Sequence, residues 1–229
     1  MRFTLSPPAV FLLLSALAFP QSDSTTLDRA LSEMDSAAKT FRTAEAAFST
    51  DHYTKVVDET ETQKGKVYFQ RRDKDVEMAA DIAEPDKQYA IYSNGKAQVY
   101  SPKLDQVNVY NADKNRAQVE AFLLLGFGGG GHELLSSYEV KYLGSESVGG
   151  VNASKLELVP KSQQMRNNIE RILMWIDPAR AISVQLQLFF PGGDYRLTKY
   201  SDIRINQKLP DGAFKLKTTP KTTFVSPQG

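Results

Sequence analysis

Four groups of residues in this chain have types and spacings that could carry chemistry. Gly126-x-Gly128-x-x-Gly131 has the spacing of a dinucleotide-binding loop, whose glycines let the backbone approach a pyrophosphate. That loop must follow a strand and open a helix, whereas here it follows the helix-like run 119–127, and no lysine stands at a phosphate-loop position. His132-Glu133 lacks the second histidine of a zinc-protease helix, His52 is the chain's one other histidine, and there is no cysteine. Asp58, Glu59 and Glu61 crowd into one polar turn, where carboxylates are ordinarily solvated. With no Gly-x-Ser-x-Gly elbow either, the expectation is a protein without metal, cofactor or catalytic residues.

The fourth candidate is a single charge. In "GKVYFQR" (65–71) a period of two puts Val67, Phe69 and Arg71 on one strand face. If that face is concave and apolar, a permanent guanidinium points into a greasy space, which is costly unless its donors find acceptors. The alternative places Arg71 at the rim, its head in water.

The elements that must position these residues are also legible. Arg2, the apolar run 9–19 and Ala16-Leu17-Ala18 read as a secretory signal, cleaved after residue 18, and the run is too short to span a bilayer. The remaining residues 19–229 suit a single domain of near-neutral charge, which gives no footprint for nucleic acid or a polybasic membrane patch. Export without disulfides fits a bacterial periplasm, and the missing cysteine excludes the lipid-modified residue of bacterial lipoproteins.

Residues 24–50 read as one amphipathic helix, with Leu27, Leu31, Met34, Ala38, Phe41 and Phe48 in a stripe and Thr25 as cap. The period then changes to two, at 65–71, 76–82, 89–100 with an Asn94-Gly95 hairpin turn, and 104–110. It continues at 138–144, 154–159, 170–177, 181–190 and 195–205, and in 182–190 the even positions Ile182, Val184, Leu186, Leu188 and Phe190 form one dry face. These turns without crossover helices predict nine to eleven antiparallel strands. A sheet of that size curls, so the expected fold is mainly β with α: an unclosed barrel whose concave side is covered by the N-terminal helix and the segment 112–137.

Several ordered pieces resemble the LolA-like family of periplasmic outer-membrane lipoprotein carriers. They are "GKVYFQRRD" (65–73), "YSNGKAQVYSPKLDQVNVY" (92–110), "WIDP" (175–178) and "YSDIRINQKLPDGAFKLKTTP" (200–220). The resemblance implies an open barrel with a helical lid, holding the acyl chains of lipoproteins in a hydrophobic cavity. It implies an inward arginine, here Arg71, that bonds to lid backbone and holds the empty form shut. Its implied partners are acylated lipoproteins, an inner-membrane lipoprotein-releasing complex and an outer-membrane acceptor, served by a monomer. A lipid- or lipoprotein-sensing envelope regulator on the same fold, or an envelope hydrolase, are the alternatives. One departure from the pattern is Arg72, where the best-known carriers commonly have proline, so either arginine is a candidate gate.

The expected cavity lining is Val67, Phe69, Met78, Phe122, Leu123, Leu125, Phe127, Met174, Val184, Leu186 and Leu188. The run Gly128, Gly129, Gly130 and Gly131, directly after the lid helix, is expected to be its hinge, because glycine changes φ and ψ at small cost.

Overall fold

The computed structural model describes residues 23–72 and 75–226, so the expected signal segment 1–18 lies outside the described residues. Helix α1, Asp23–Thr40, buries Leu31 and Met34 and packs Leu27 and Ala37 against the same cluster. It ends ten residues before the expected boundary, and Thr25, the expected cap, lies inside it. Residues 43–54 form strand β1 instead. Ala44, Ala46 and Phe48 alternate, and all three pack into one core cluster, so "TAEAAF" obeys a period of two. Alanine and glutamate favour helix locally, but pairing with a strand on each side overrides that preference.

Strands β2 (Glu59–Arg72), β3 (Asp75–Glu84), β4 (Gln88–Ser93), β5 (Lys96–Ser101) and β6 (Gln106–Asn111) form an antiparallel meander. The Asn94-Gly95 turn has both residues at positive φ, as the tight hairpin requires. After a 3-10 turn at Asp113–Asn115 come helices α2 (Arg116–Leu123) and α3 (Gly131–Ser137). A second meander follows: β7 (Tyr138–Val148), β8 (Val151–Pro160), the short helix α4 (Gln163–Arg166), β9 (Arg171–Asp177), β10 (Ile182–Phe189) and β11 (Tyr195–Ile205). The chain then crosses back and adds β12 (Thr223–Val225).

The twelve strands among the described residues belong to one sheet, in the order β12-β6-β5-β4-β3-β2-β1-β11-β10-β9-β8-β7. The edge strands β12 and β7 do not pair with each other, so the barrel is unclosed. The count exceeds the expected maximum by one because β12, three exposed residues pairing parallel to β6, carries no alternating signal. This order explains the lid. Strand β6 lies next to one edge and β7 is the other edge, so residues 112–137 must bridge the whole concave side to connect them.

Two clusters fill that side. One joins α1, Leu125 and Leu134 of the crossing segment, and Leu156, Leu158, Ile172, Met174 and Ile176 of β8 and β9. The other joins Phe41, Ala44, Ala46, Val67, Phe69 and Val76 to Leu124 and Phe127. On the convex face, residues 209–216 cover Tyr68, Ala79 and Ile91 through Leu209, Ala213, Phe214 and Leu216. Among the described residues no helix is long and apolar enough to cross a membrane.

Candidate functional site

Strand β2 delivers Val67, Phe69 and Arg71 to the concave face in the expected alternation. The first two are buried in the core, and the Arg71 guanidinium reaches past them to the lid. Its Nη2 donates to the carbonyl of Gly128 at 2.7 Å and its Nη1 to the carbonyl of Ala38 at 3.2 Å. Ala38 lies in the last turn of α1, where carbonyls lack helical partners and the helix dipole favours a cation. The guanidinium carbon sits 5.8 Å from the Phe41 ring centroid. One half-buried cation thus ties α1 to the loop after α2, with backbone oxygens as its acceptors. Burial pushes its pKa down and Arg42 adds to this, while Glu133 opposes. An arginine stays charged regardless.

Arg72 points away from this site. Its side chain is 70% exposed, with Glu77 at 3.9 Å. Of the two arginines, Arg71 is the one turned onto the concave face.

The glycine run is held by close approach as well as by its freedom. A Cβ on Gly128, whose φ is +79°, would overlap the Phe41 ring, and one on Gly131 would overlap the backbone of Leu31 in α1. At Gly129 it would lie 2.8 Å from the Leu124 carbonyl oxygen. Only glycine lets this loop lie flat on α1 and Phe41, so the run has a packing reason beside the hinge expected for it.

Between α1, the start of β3 and the two lid helices lies a cavity of about 560 Å³. Its apolar walls are Met34, Val76, Leu124, Leu134 and Tyr138, and Arg71, Glu120, Glu133, Ser136 and Ser137 supply polar ones. Of the residues expected at the site, Arg71, Gly129 and Gly130 line it. The eleven apolar residues expected to line a cavity do not. Val67, Phe69, Leu125, Phe127 and Met174 are buried in the two concave clusters, and Met78, Phe122, Leu186 and Leu188 pack against them; Leu123 is half-buried in α2. Phe69 stacks on Phe127 with centroids 4.7 Å apart, and Phe127 meets Tyr200 edge-on at 4.9 Å. Beside that cavity, the chain's own side chains fill the space between the sheet and the segment 112–137.

Val184 is placed differently from its neighbours. A register shift between Ser183 and Gln185 reverses the alternation of β10, so Leu186 and Leu188 join the concave cluster while Val184 joins Leu173, Trp175 and Ala153 in a separate one. The single dry face expected for 182–190 is therefore broken at the bulge.

Sequence reasoning missed the actual lining. Met34 is visible in the α1 stripe, and Leu124 in the run "FLLLGF", but nothing local says which apolar residue of a helix faces a void. It also missed the polar ties of the lid. Glu120 of α2 accepts from Arg116 Nε at 2.7 Å and from the Tyr92 hydroxyl at 3.2 Å, and Arg116 bridges to Asp75 at 2.9 Å. Burial and the Glu120 carboxylate push the Tyr92 phenol up to about 12, and burial alone does the same to Tyr138. On the far side of the loop, His132 of α3 meets Asp28 and Asp35 of α1. These contacts tie α2 and α3 to α1 and to the sheet.

Residues 39–217 match the family described as outer membrane lipoprotein carrier protein LolA. Among solved structures, an uncharacterized conserved protein from Thermus thermophilus superposes with a TM-score of 0.56 at 9% identity, covering 88% of this chain and 99% of that one. The Mycobacterium tuberculosis lipoprotein LppX gives 0.50 at 12%, covering 82% and 99%. The Pseudomonas aeruginosa MucA/MucB complex gives 0.50 at 13%, covering 83% of this chain and 61% of that one, so the match spans about three fifths of that neighbour. At such identities the likeness is one of fold. No curated protein sequence matches the chain.

Proposed function

This chain belongs to the outer membrane lipoprotein carrier protein LolA family, and from that premise we propose that it is a periplasmic carrier that shelters the acyl chains of lipoproteins beneath its lid. The observation that carries the reading is Arg71. A permanent charge is held over an apolar concave face by two backbone carbonyls, one on α1 and one on the lid loop. Such a tie can break without leaving a buried carboxylate behind, and its donors can turn to water or to a polar head once the lid lifts.

Magnitudes support a gate rather than a lock. Burying a sixteen-carbon chain gains on the order of 12 kcal/mol relative to water, at ~0.8 kcal/mol per methylene. Hydrogen bonds from a charged group contribute about 1.5–3 kcal/mol to the closed state. Cargo therefore overcomes the tie easily, and the tie's return on unloading weakens retention by a like amount. Space points the same way. At about 560 Å³ the half-open cavity lies within the range of small-ligand pockets, roughly 300–1,000 Å³, and offers room for one such chain. A lipoprotein with two or three chains needs more, and the room comes from moving α2 and α3 off the two concave clusters. The donor would be an inner-membrane lipoprotein-releasing complex and the acceptor an outer-membrane protein, with the cleaved monomer passing between them.

The test is binding of a synthetic diacylated peptide by the mature protein. Stoichiometric capture from detergent, with no capture of the deacylated peptide, is expected. Equal behaviour of the two peptides contradicts the proposal.

The fold shared with the MucA/MucB complex supports a second reading, a lipid-sensing regulator. A stable complex with a signalling partner that dissociates on lipid addition, in place of cargo transfer to an acceptor, would favour it.

A further inference from the structure

Neither reading uses His132, which the sequence offers only as a failed zinc motif. It stands at the second residue of α3, and three of its groups meet one face of α1. Its backbone N–H donates to Asp35 Oδ1 at 3.1 Å, its ring Nδ1 contacts Asp35 Oδ2, and its ring Nε2 lies 3.2 Å from Asp28 Oδ1. Asp28 and Asp35 are two helical turns apart and so share that face. A neutral imidazole has one N–H and one lone pair, so it can donate to only one of two carboxylates. A ring that faces a carboxylate from each nitrogen is satisfied only as the imidazolium.

We infer that His132 is a proton-operated clasp: as imidazolium it bridges Asp28 and Asp35 and holds α3 against α1, and when the proton leaves this side of the lid loosens. This regulates the site of the carrier reading and rests on α2 and α3 being its lid. The loop from Gly128 to His132 is then fastened twice, by Arg71 at its start and by His132 at its end.

The surroundings support this assignment. From α1 the charged groups acting on the ring are Asp35 and Asp28. Glu133, the neighbour in α3, acts on Arg71 across the cavity. Strand β7, which also packs on α3, carries the exposed Glu139 and the exposed Lys141, and β2 contributes Arg71, bonded to Gly128. Hydrogen bonds to Asp35 and then Asp28 raise the pKa of His132 against a small cost of burial. Burial would raise Asp35, but the bonds from His132 outweigh it and hold that carboxyl below its ordinary value, so the two partners agree. His52 shifts the other way: burial and then Arg196 lower it, against Glu61 and Gln63. A group whose pKa is raised on folding contributes fully below its unfolded value, about 6.5 for histidine, and its contribution is lost as pH rises through the folded value. The clasp is therefore closed in mildly acidic solution and opens above the ordinary histidine range.

The test needs no cargo. The ring carbons of the chain's two histidines are followed by NMR from pH 5 to 9, assigned with His52→Asn, beside hydrogen exchange of amides 131–137 corrected for the intrinsic effect of pH. The expected result is that His132 titrates above the free value and His52 below it. Protection of 131–137 should fall as His132 deprotonates, and the exposed change Asp28→Asn should lower the titration of His132 without unfolding the chain. If His132 titrates at or below the free value, or if protection in 131–137 does not follow its titration, the clasp is overturned. Because the acyl-peptide assay is separate, the clasp can fail while the carrier stands, and the reverse.

Discussion

Arg71 and His132 fasten opposite ends of the same five-residue loop, from Gly128 to His132, by different chemistry. Arg71 is half-buried, permanently charged, and bonds to backbone carbonyls of α1 and the lid. His132 is more open to water and bonds to two carboxylates of α1. The first fastening is set by packing and, in the proposed carrier, would yield to whatever displaces the lid. The second is screened by solvent, is weaker, and depends on one proton. If the segment opens as proposed, one loop would have both a fixed threshold and an adjustable one.

Substitutions at the two fastenings and beside them probe this comparison. The largest effect is expected from Gly131→Ala, which touches both fastenings by forcing α3 off the backbone of Leu31. Overpacking of this kind costs about 1–3 kcal/mol and should lower the unfolding midpoint by roughly 5 °C in a calorimetric scan. Next comes Arg71→Leu, which removes the closed-state bonds while keeping apolar bulk. Dissociation of a fluorescent acylated peptide should slow by about tenfold, the equivalent of about 1.4 kcal/mol. Arg71→Lys should fall between, because a single ammonium does not reproduce the planar fork that spans two carbonyls. Arg72→Ala, on the exposed side of the same strand, should change both stability and dissociation within the scatter of a surface substitution, about 0.5 kcal/mol. His132→Asn should have a small effect that, unlike that of Arg72→Ala, depends on pH. It should destabilise the protein more in mildly acidic solution than in alkaline solution, where the parent loses the same proton, as read by unfolding midpoints across a pH series.

The same contrast shows what is legible in the sequence. The β2 alternation puts Arg71 on the face of Val67 and Phe69, and the structure agrees, because strand alternation is a local rule. The hairpin at Asn94-Gly95 and the strands β9, β10 and β11 are legible for the same reason. The misreadings occur where tertiary contacts overrule local signals. Residues 43–50 look helical by composition but lie between two strands that pair with them. The bulge at Ser183–Gln185 turns Val184 out of its row, and no residue type in "AISVQLQLFF" marks it. His132 stands out in the sequence without its role, since Asp28 and Asp35 lie about a hundred residues away and only the packing of α3 on α1 brings them to the ring. The apolar residues expected to line a cavity are an informative case. Apart from Leu123 and Val184 they belong to the two concave clusters, where residues of the sheet pack against residues of the segment 112–137.

The central claim is that acyl chains enter by lifting the lid away from those packed residues. Since the chain has no native cysteine, Gln118→Cys on α2 and Lys199→Cys on β11 can carry a unique pair of spin labels. Pulsed electron resonance should give one distance in the empty protein and a longer one, by several ångströms, after loading with diacylated peptide. The empty Arg71→Leu protein should already populate the longer distance. An unchanged distance on stoichiometric loading would contradict the account.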